Sequence, residues 1–481
     1  MSTTADTTAT LVASQSPLYS DDLAPTPPEA RTWRTRHYTS LWVAMACCIP
    51  TYMLASGLIA SGMNWRQALF TILLGNLLVL IPILLNSHPG TRYGIPFPVF
   101  ARASFGVWGA NLPALMRALV ACGWFGINAW IGGAAVNTLL TAIWPGWAGW
   151  GGSLGGYALG AWVSFGLFWL SNIWIIYRGM DTLKRFESWA APFVLLMTAG
   201  LVIWAVKAAD GLGPLMAQPG KFTTLEAFWP VFVPSLTAMV GFWATLSLNM
   251  PDFTRFAADQ KSQVRGQVLG LPAAMTVFSA MGIVITSASS LVFGKLHWDP
   301  VQLVGEFQNP WVVAIAMFTV IVATISVNIA ANVVSPANDF ANMWPKRIDF
   351  KTGGLITGIL GIAIMPWRLL ADAQAYIFDW LLVYSGGLGS VAGVMIVDYW
   401  LLRRCELDVP GLYETHGRYR YWRGWNLAGV AAALAGCFAA WGGKLIPALS
   451  PLVPYGWFAG FAVAGLSYAV FMGGRRGATS D

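Results

Sequence analysis

Apolar residues in this 481-residue chain gather into runs of about twenty with few or no charges, the length a helix needs to cross a hydrocarbon core of about 30 Å. Such runs leave little choice of fold, because a backbone in lipid must satisfy its hydrogen bonds within a helix or a closed barrel. The bulk composition agrees: 56% of residues are hydrophobic and only 10% charged, whereas a soluble surface needs roughly a quarter charged. Mean hydropathy is +0.59. The runs are expected as transmembrane helices at residues 40–62, 67–87, 107–142, 157–177, 188–207, 228–250, 267–294, 310–334, 353–371, 376–401, 424–446 and 453–473. The third run is long enough to tilt strongly or to extend past the bilayer. The stretch GIPFPVFARASF at 94–105 is apolar but too short to cross, and is expected at the interface or as a re-entrant segment.

Loop charge tests the count independently. With the amino terminus inside, 21 of the 28 basic residues fall on inner segments and six on outer ones, Arg117 lying within the third run. This alternation obeys the positive-inside rule, and an odd number of spans would scramble it. The expected product is a multi-pass protein of the cell inner (plasma) membrane with both termini cytoplasmic. The +7 net charge is then the excess of the inner loops and implies no nucleic-acid partner. Residues 1–35 open on a Ser-, Thr-, Pro- and Ala-rich stretch without an apolar core, and are expected as a disordered cytoplasmic tail, not a cleaved signal peptide. Cys47, Cys48, Cys122, Cys405 and Cys437 include no CxxC or His/Cys cluster, so neither a disulfide framework nor a metal site is indicated.

Polar groups and helix breaks at span depth are the candidates for function, because lipid supplies no partners for them. Pro50 lies near the middle of span 1, and span 6 carries Gly241 with Pro251 near its inner end. Breaks in spans 1 and 6, five apart, are the pattern of an inverted-repeat transporter with its site at the midplane; alone, each reads equally as a packing kink. In span 3, Trp124 and Asn128 share one helix face while Trp130 falls on another. In span 8, Asn328, Asn332 and Ser335 form a polar stripe, either interhelical glue or a set facing a solute. No Asp, Glu, Lys or Arg lies near the middle of spans 1, 3, 6 or 8; Arg117 and Asp252 lie toward inner ends. An uncharged site with amides and a flat aromatic face suits a neutral planar nitrogen heterocycle.

The chain resembles the nucleobase:cation symporter-1 family of cytosine, uracil, allantoin and hydantoin permeases, through YGIPFPVFARASFG at 93, ACGWFGINAWIGG at 121, NMPDFTRFA at 249, ANVVSPANDFANMWP at 331 and GVMIVDYWLLRR at 393. CIPTYMLASGLIASGMNW at 48 places it nearest the allantoin and uracil branch. The resemblance implies an all-α integral membrane protein of twelve helices with the LeuT-type five-plus-five inverted repeat and two extra C-terminal helices. The repeats would occupy 36–208 and 209–402, followed by a loop with spans 11 and 12 at 403–473 and a cytoplasmic tail at 474–481. It implies a cation-coupled importer working by alternating access, with substrate stacked between Trp124 and Trp243 and held by Asn128 and Asn332. In the hydantoin permeases the position of Asn128 is Gln and that of Cys48 is also Gln, which argues against strict hydantoin selectivity here.

The family's sodium site matches the carbonyls of Ala44 and Cys47 and groups at Ala323, Ser326 and Val327, where Val327 lacks the usual hydroxyl. A hard cation needs oxygens, so proton coupling or a degraded sodium site is expected, with Asp252 the nearest proton-linked carboxylate. The co-transported proton or sodium ion takes the place of any cofactor, and a monomer is expected. Gly386, Gly387 and Gly389 in span 10 read either as a bend over the site or as close-packing contacts. Rival readings are a transporter-like solute sensor and a membrane-embedded enzyme. The enzyme needs a catalytic constellation, which His37, His88, His297 and His416, near membrane edges on different sides, cannot assemble.

Overall fold

Lipid-facing and protein-facing stripes are both apolar in this chain, so each helix is placed by where its small and polar residues fall. A computed structural model describes residues 16–178 and 180–473, without the side chains of 180–191. The extreme ends, with Arg475 and Arg476, and the side chains of Lys184 and Arg185 lie outside the described residues. The principal helices are α1 (Thr35–Ala46), α2 (Ile49–Ala60), α3 (Trp65–Tyr93), α4 (Phe97–Phe105), α5 (Asn111–Ile143), α6 (Leu159–Arg178), α7 (Met180–Ala208), α8 (Leu225–Phe242) and α9 (Ala244–Asn249). They continue with α10 (Gln260–Phe293), α11 (Pro310–Asn332), α12 (Val334–Met343), α13 (Phe350–Ala363), α14 (Leu382–Ile396), α15 (Leu427–Trp441) and α16 (Gly456–Gly473). The β-structure named among the described residues is a two-stranded hairpin, Ser153–Leu154 with Tyr157–Ala158.

Among the described residues nine helical stretches are long and apolar enough to cross a bilayer, and α1 with α2, bent by 58°, makes a tenth. Shorter apolar helices, Pro192–Ala208 and Phe350–Ala363, stand where spans 5 and 9 were expected. The pattern is plain in α3: Phe70, Leu73, Leu77 and Ile81 form an exposed stripe, while Ile72, Asn76, Val79 and Ile83 are buried against the bundle. Its start is set by Asn64, whose side chain accepts from Gln67 N while Gln67 reaches back to the Asn64 amide. It ends at Gly94, in the left-handed conformation at φ 75°.

The expected breaks are real but fall beside the residues that signalled them. The α1–α2 break is at Cys47–Cys48, both out of helical geometry. Pro50 sits in the first turn of α2, where its missing N–H is harmless. The α8–α9 break is at Trp243 (φ −105°, ψ 10°). Gly241 permits the approach there, since a Cβ would stand 2.7 Å from Leu381 O. The α11–α12 break is at Val333, and the helical path runs on to Met343, beyond the expected end of span 8.

Two expectations are corrected at the Arg-rich end of the bundle. Residues 16–35 are not a free tail: Leu18 and Leu23 are fully buried, Thr26 N donates to Gly94 O (2.8 Å) and Trp33 N to Phe256 O (2.9 Å). The short apolar stretch forms α4, buried inside the protein, which overturns the interface alternative and leaves the re-entrant one standing. Arg102 explains both, because a guanidinium with no exposure needs partners. It donates to Leu412 O (3.0 Å), Leu18 O (3.0 Å) and Asn342 Oδ1 (2.7 Å), tying the amino-terminal segment, the 403–426 loop and the segment after the α11–α12 break together.

Span 10 is regular in α14 but π-helical on either side, at Ala375–Leu381 and Val397–Leu402. Its glycines serve close packing: a Cβ at Gly386 would stand 2.6 Å from the Ala440 Cβ, at Gly387 2.7 Å from the Trp441 ring and at Gly389 2.6 Å from Trp457 O. They face α15 and α16, and the irregular geometry of this span lies instead in its π-helical turns.

Candidate functional site

The breaks in spans 1 and 6 open backbone into one cavity. Met45, Cys48 and Pro50 line it from the first break, Phe242, Trp243, Thr245 and Leu246 from the second, Trp124 and Asn128 from α5, and Val327, Ala331 and Asn332 from α11. All four substrate-site residues expected from the sequence are thus brought together, and no Asp, Glu, His, Lys or Arg is among the residues that line the cavity. Trp130 points elsewhere, packing on Tyr157 and Trp162.

Aromatic geometry adds a residue that the sequence did not single out. Phe242 meets Trp124 edge-on at 5.2 Å and Trp243 edge-on at 4.9 Å, so it stands between the two indoles. Trp124 Nε1 donates to Tyr384 Oη (3.2 Å), which donates to Gly241 O (2.7 Å), the carbonyl beside the span 6 break. Tyr376 donates to Pro50 O (3.1 Å) at the other break. It also meets Trp124 edge-on at 6.2 Å and lies 6.2 Å from Trp298 in the loop before α11.

The polar stripe of span 8 divides into three separate roles. Asn328 is fully buried and donates to Asn172 Oδ1 on α6 (3.2 Å) and Phe125 O on α5 (3.4 Å). Asn332 lines the cavity and donates to Asn328 Oδ1 (3.1 Å). Ser335, past the break, donates to Asp252 Oδ2. Asn128 donates to Trp124 O one turn back (3.0 Å), leaving its Oδ1 buried without a partner. The rule that an amide at span depth needs partners would also have found Asn172, at depth in the fourth apolar run.

Asp252 does not face a loop. It is buried, accepting from Phe97 N (2.8 Å) and from Ser335. Next to it Arg117 pairs with Asp339 Oδ2 at 3.4 Å. The Asn249 amide completes the cluster: Thr245 O can only accept and Arg117 can only donate, so its nitrogen faces Thr245 O (2.6 Å) and its oxygen Arg117 Nη2 (3.2 Å). This cluster lies one to two turns from the cavity toward the Arg-rich end and joins α5, the α9 segment and α12. Asp339 escaped sequence reading because it lies beyond the point where the apolar run of span 8 stops.

The candidate cation residues are only partly gathered. In an unbroken helix Cys48 N would bond Ala44 O and Thr51 N would bond Cys47 O. Here Cys48 N goes to Ala46 O (2.9 Å) and Thr51 N to Cys48 O (3.1 Å), which releases both expected carbonyls from their helical partners. On α11, Val327 faces the substrate cavity whereas Ala323 lines a separate one with Ile49 and Tyr52. Among the described residues no group of three His, Cys, Asp or Glu side chains could hold a metal ion.

Residues 25–460 match a family described as permeases for cytosine/purines, uracil, thiamine and allantoin. The allantoin permease of Bacillus subtilis is 44% identical, over 95% of this chain and 93% of its own. The purine-uracil permease of Arabidopsis thaliana is 40% identical, over 95% and 78%. Among solved structures, Mhp1, a nucleobase-cation-symport-1 family transporter in a closed conformation with bromovinylhydantoin bound, matches with TM-score 0.77 and 25% identity over 95% of this chain and 96% of its own. A Na+-coupled sialic acid symporter has TM-score 0.62 at 11% identity, over 96% and 93%, a likeness of fold alone.

Proposed function

Because the chain belongs to the nucleobase-cation-symport-1 family of permeases, a transporter and not an enzyme, we propose that it imports a small neutral planar nitrogen heterocycle, of the allantoin and uracil type, by cation-coupled alternating access. The observation that carries this reading is the uncharged cavity at two helix breaks, walled by Trp124 and Trp243 and edged by Asn128 and Asn332. The flat rings match a flat solute by stacking, and the amides replace the water its polar edge leaves behind. In this reading the chain is a monomer that crosses the cell membrane twelve times with both termini in the cytoplasm; the 21-to-6 split of loop charge supports that orientation.

In this reading the described conformation is closed at both ends. The Arg117–Asp339–Asn249–Ser335–Asp252 cluster seals the Arg-rich side, and Trp298 over Tyr376 covers the other. Inward opening separates α5, α9 and α12 and so breaks the cluster, which makes Asp252 the proton-linked carboxylate. The carbonyls of Ala44 and Cys47, with Ser326, supply part of a sodium site that Val327 leaves short of one oxygen.

The test is counterflow and uptake in proteoliposomes with allantoin, uracil, cytosine and hydantoin, imposing sodium and pH gradients separately. Exchange of at least one solute, lost in Trp124→Ala and Asn332→Ala, is the expected outcome. Binding without exchange would make the protein a sensor, and transport intact in both variants would remove the site assignment.

A further inference from the structure

The amides around the cavity share one polarity, and the structure shows what sets it. Amide orientation is ambiguous only until a neighbour of known character fixes it. A backbone carbonyl can only accept, so the atom facing it is the amide nitrogen. Asn172 faces Phe168 O at 2.9 Å, which fixes its Oδ1 toward Asn328 at 3.2 Å. Asn328 faces Phe125 O as well, which confirms its nitrogen there and leaves its Oδ1 to accept from Asn332 at 3.1 Å. The nitrogen of Asn332 is therefore directed into the protein, and no hydrogen bond among the described residues reaches its Oδ1. Asn128 repeats the arrangement, with its nitrogen on Trp124 O and its Oδ1 buried without a partner.

We propose that Asn172, a buried residue of α6 that does not line the cavity, is a specificity-determining positioning residue: acting through Asn328, it holds Asn332 with its carbonyl oxygen toward the solute. The site then offers two amide acceptors, Asn128 Oδ1 and Asn332 Oδ1, and selects ring compounds of the ureide or imide type that present N–H donors to both. This rests on the cavity being the substrate site. An isolated Asn332 could rotate its amide to suit either a donor or an acceptor; the relay removes that freedom, because a reversed Asn332 would set its oxygen against Asn328 Oδ1, two acceptors face to face. A solute whose N–H is replaced by N–CH3 leaves an acceptor desolvated and unpaired, the situation that gives strong rejection.

The experiment measures equilibrium binding of uracil, allantoin and hydantoin to purified full-length protein, each beside its N-methylated counterparts. Wild type is expected to prefer at least one parent over its methylated form by about tenfold or more. In Asn172→Leu the long bond to Phe125 O (3.4 Å) is left to orient Asn328 in place of the pair, and the preference is expected to fall to within about threefold while the parent still binds. The carboxyl introduced by Asn172→Asp, neutral in this apolar interior, keeps one acceptor for Asn328 and one donor for Phe168 O, and so restores the wild-type ratio. A wild-type ratio retained in Asn172→Leu overturns the proposal, as does a wild-type protein indifferent to methylation, a result that needs no variant to fold. If Asn172→Leu does not yield monodisperse protein, Asn328→Leu removes the next acceptor of the relay, the one Asn332 itself uses, and is expected to narrow the ratio alike. Parent binding that survives Trp124→Ala sinks the site reading itself; binding lost there with the ratio unchanged in Asn172→Leu sinks the relay alone.

Discussion

Arg117 and Asp339 meet at 3.4 Å with side chains 1% and 0% exposed, from helices 222 positions apart in the chain. Neither is fully satisfied, since Arg117 Nε and Asp339 Oδ1 have no partner. A pair of this kind stabilises little over an apolar pair of the same shape, but strongly resists losing one member.

Arg117→Leu is therefore expected to destabilise by about 3 kcal/mol, because it strands Asp339 without a counter-charge. Arg117→Leu with Asp339→Leu should recover much of that loss. Thermal unfolding of the purified variants checks the order, and a double variant less stable than Arg117→Leu alone contradicts it.

Asp252→Asn keeps the size and the acceptor that Phe97 N uses but cannot carry a proton. If Asp252 links transport to protons, the variant keeps counterflow exchange and loses accumulation driven by a pH gradient. Accumulation at the wild-type level would remove Asp252 from the coupling step.

Val327→Ser supplies the hydroxyl that the family resemblance implies for a sodium site with the Ala44 and Cys47 carbonyls. One added oxygen contributes ~1.4 kcal/mol, about tenfold in apparent sodium affinity, read as sodium-stimulated uptake. Sodium stimulation that is already strong in wild type, and unchanged in the variant, runs against the reading of a short site.

Asp299 gives the outer loop a pH dependence. Its Oδ1 accepts from Val301 N (2.9 Å) at the start of the Pro300–Gly305 helix, and burial raises its pKa from 3.8 to about 6. A raised acid pKa means that the folded state binds more protons between those values, so stability is highest below about 4 and falls as pH rises through about 6. The melting temperature of wild type relative to Asp299→Asn should decline over that window; a constant difference contradicts it.

Phe242 and Asp339 show why part of the site was not legible. One is an aromatic among 26 phenylalanines and acquires meaning only because the α8–α9 break turns it between two indoles. The other stands beyond an apolar run and is drawn into the protein by a guanidinium from a distant helix. Asn128 and Asn332 were legible because an amide in lipid is costly wherever its helix packs, and Trp124 because it shares a helix face with Asn128. The amino-terminal segment misled for the opposite reason: its composition is that of a disordered tail, and the buried Arg102 recruits its carbonyls nonetheless.

What the sequence determined by itself is the membrane character of the chain and the family, because hydrophobic length and ordered motifs need no partner; Pro50 and Gly241 marked only the neighbourhood of the breaks, which fall at Cys47–Cys48 and Trp243. Which breaks meet, which way each amide points and which buried charges pair were decided by tertiary structure alone. Those depend on contacts between residues far apart in the chain, and a hydrogen bond or ion pair has direction and energy only once both partners are in place.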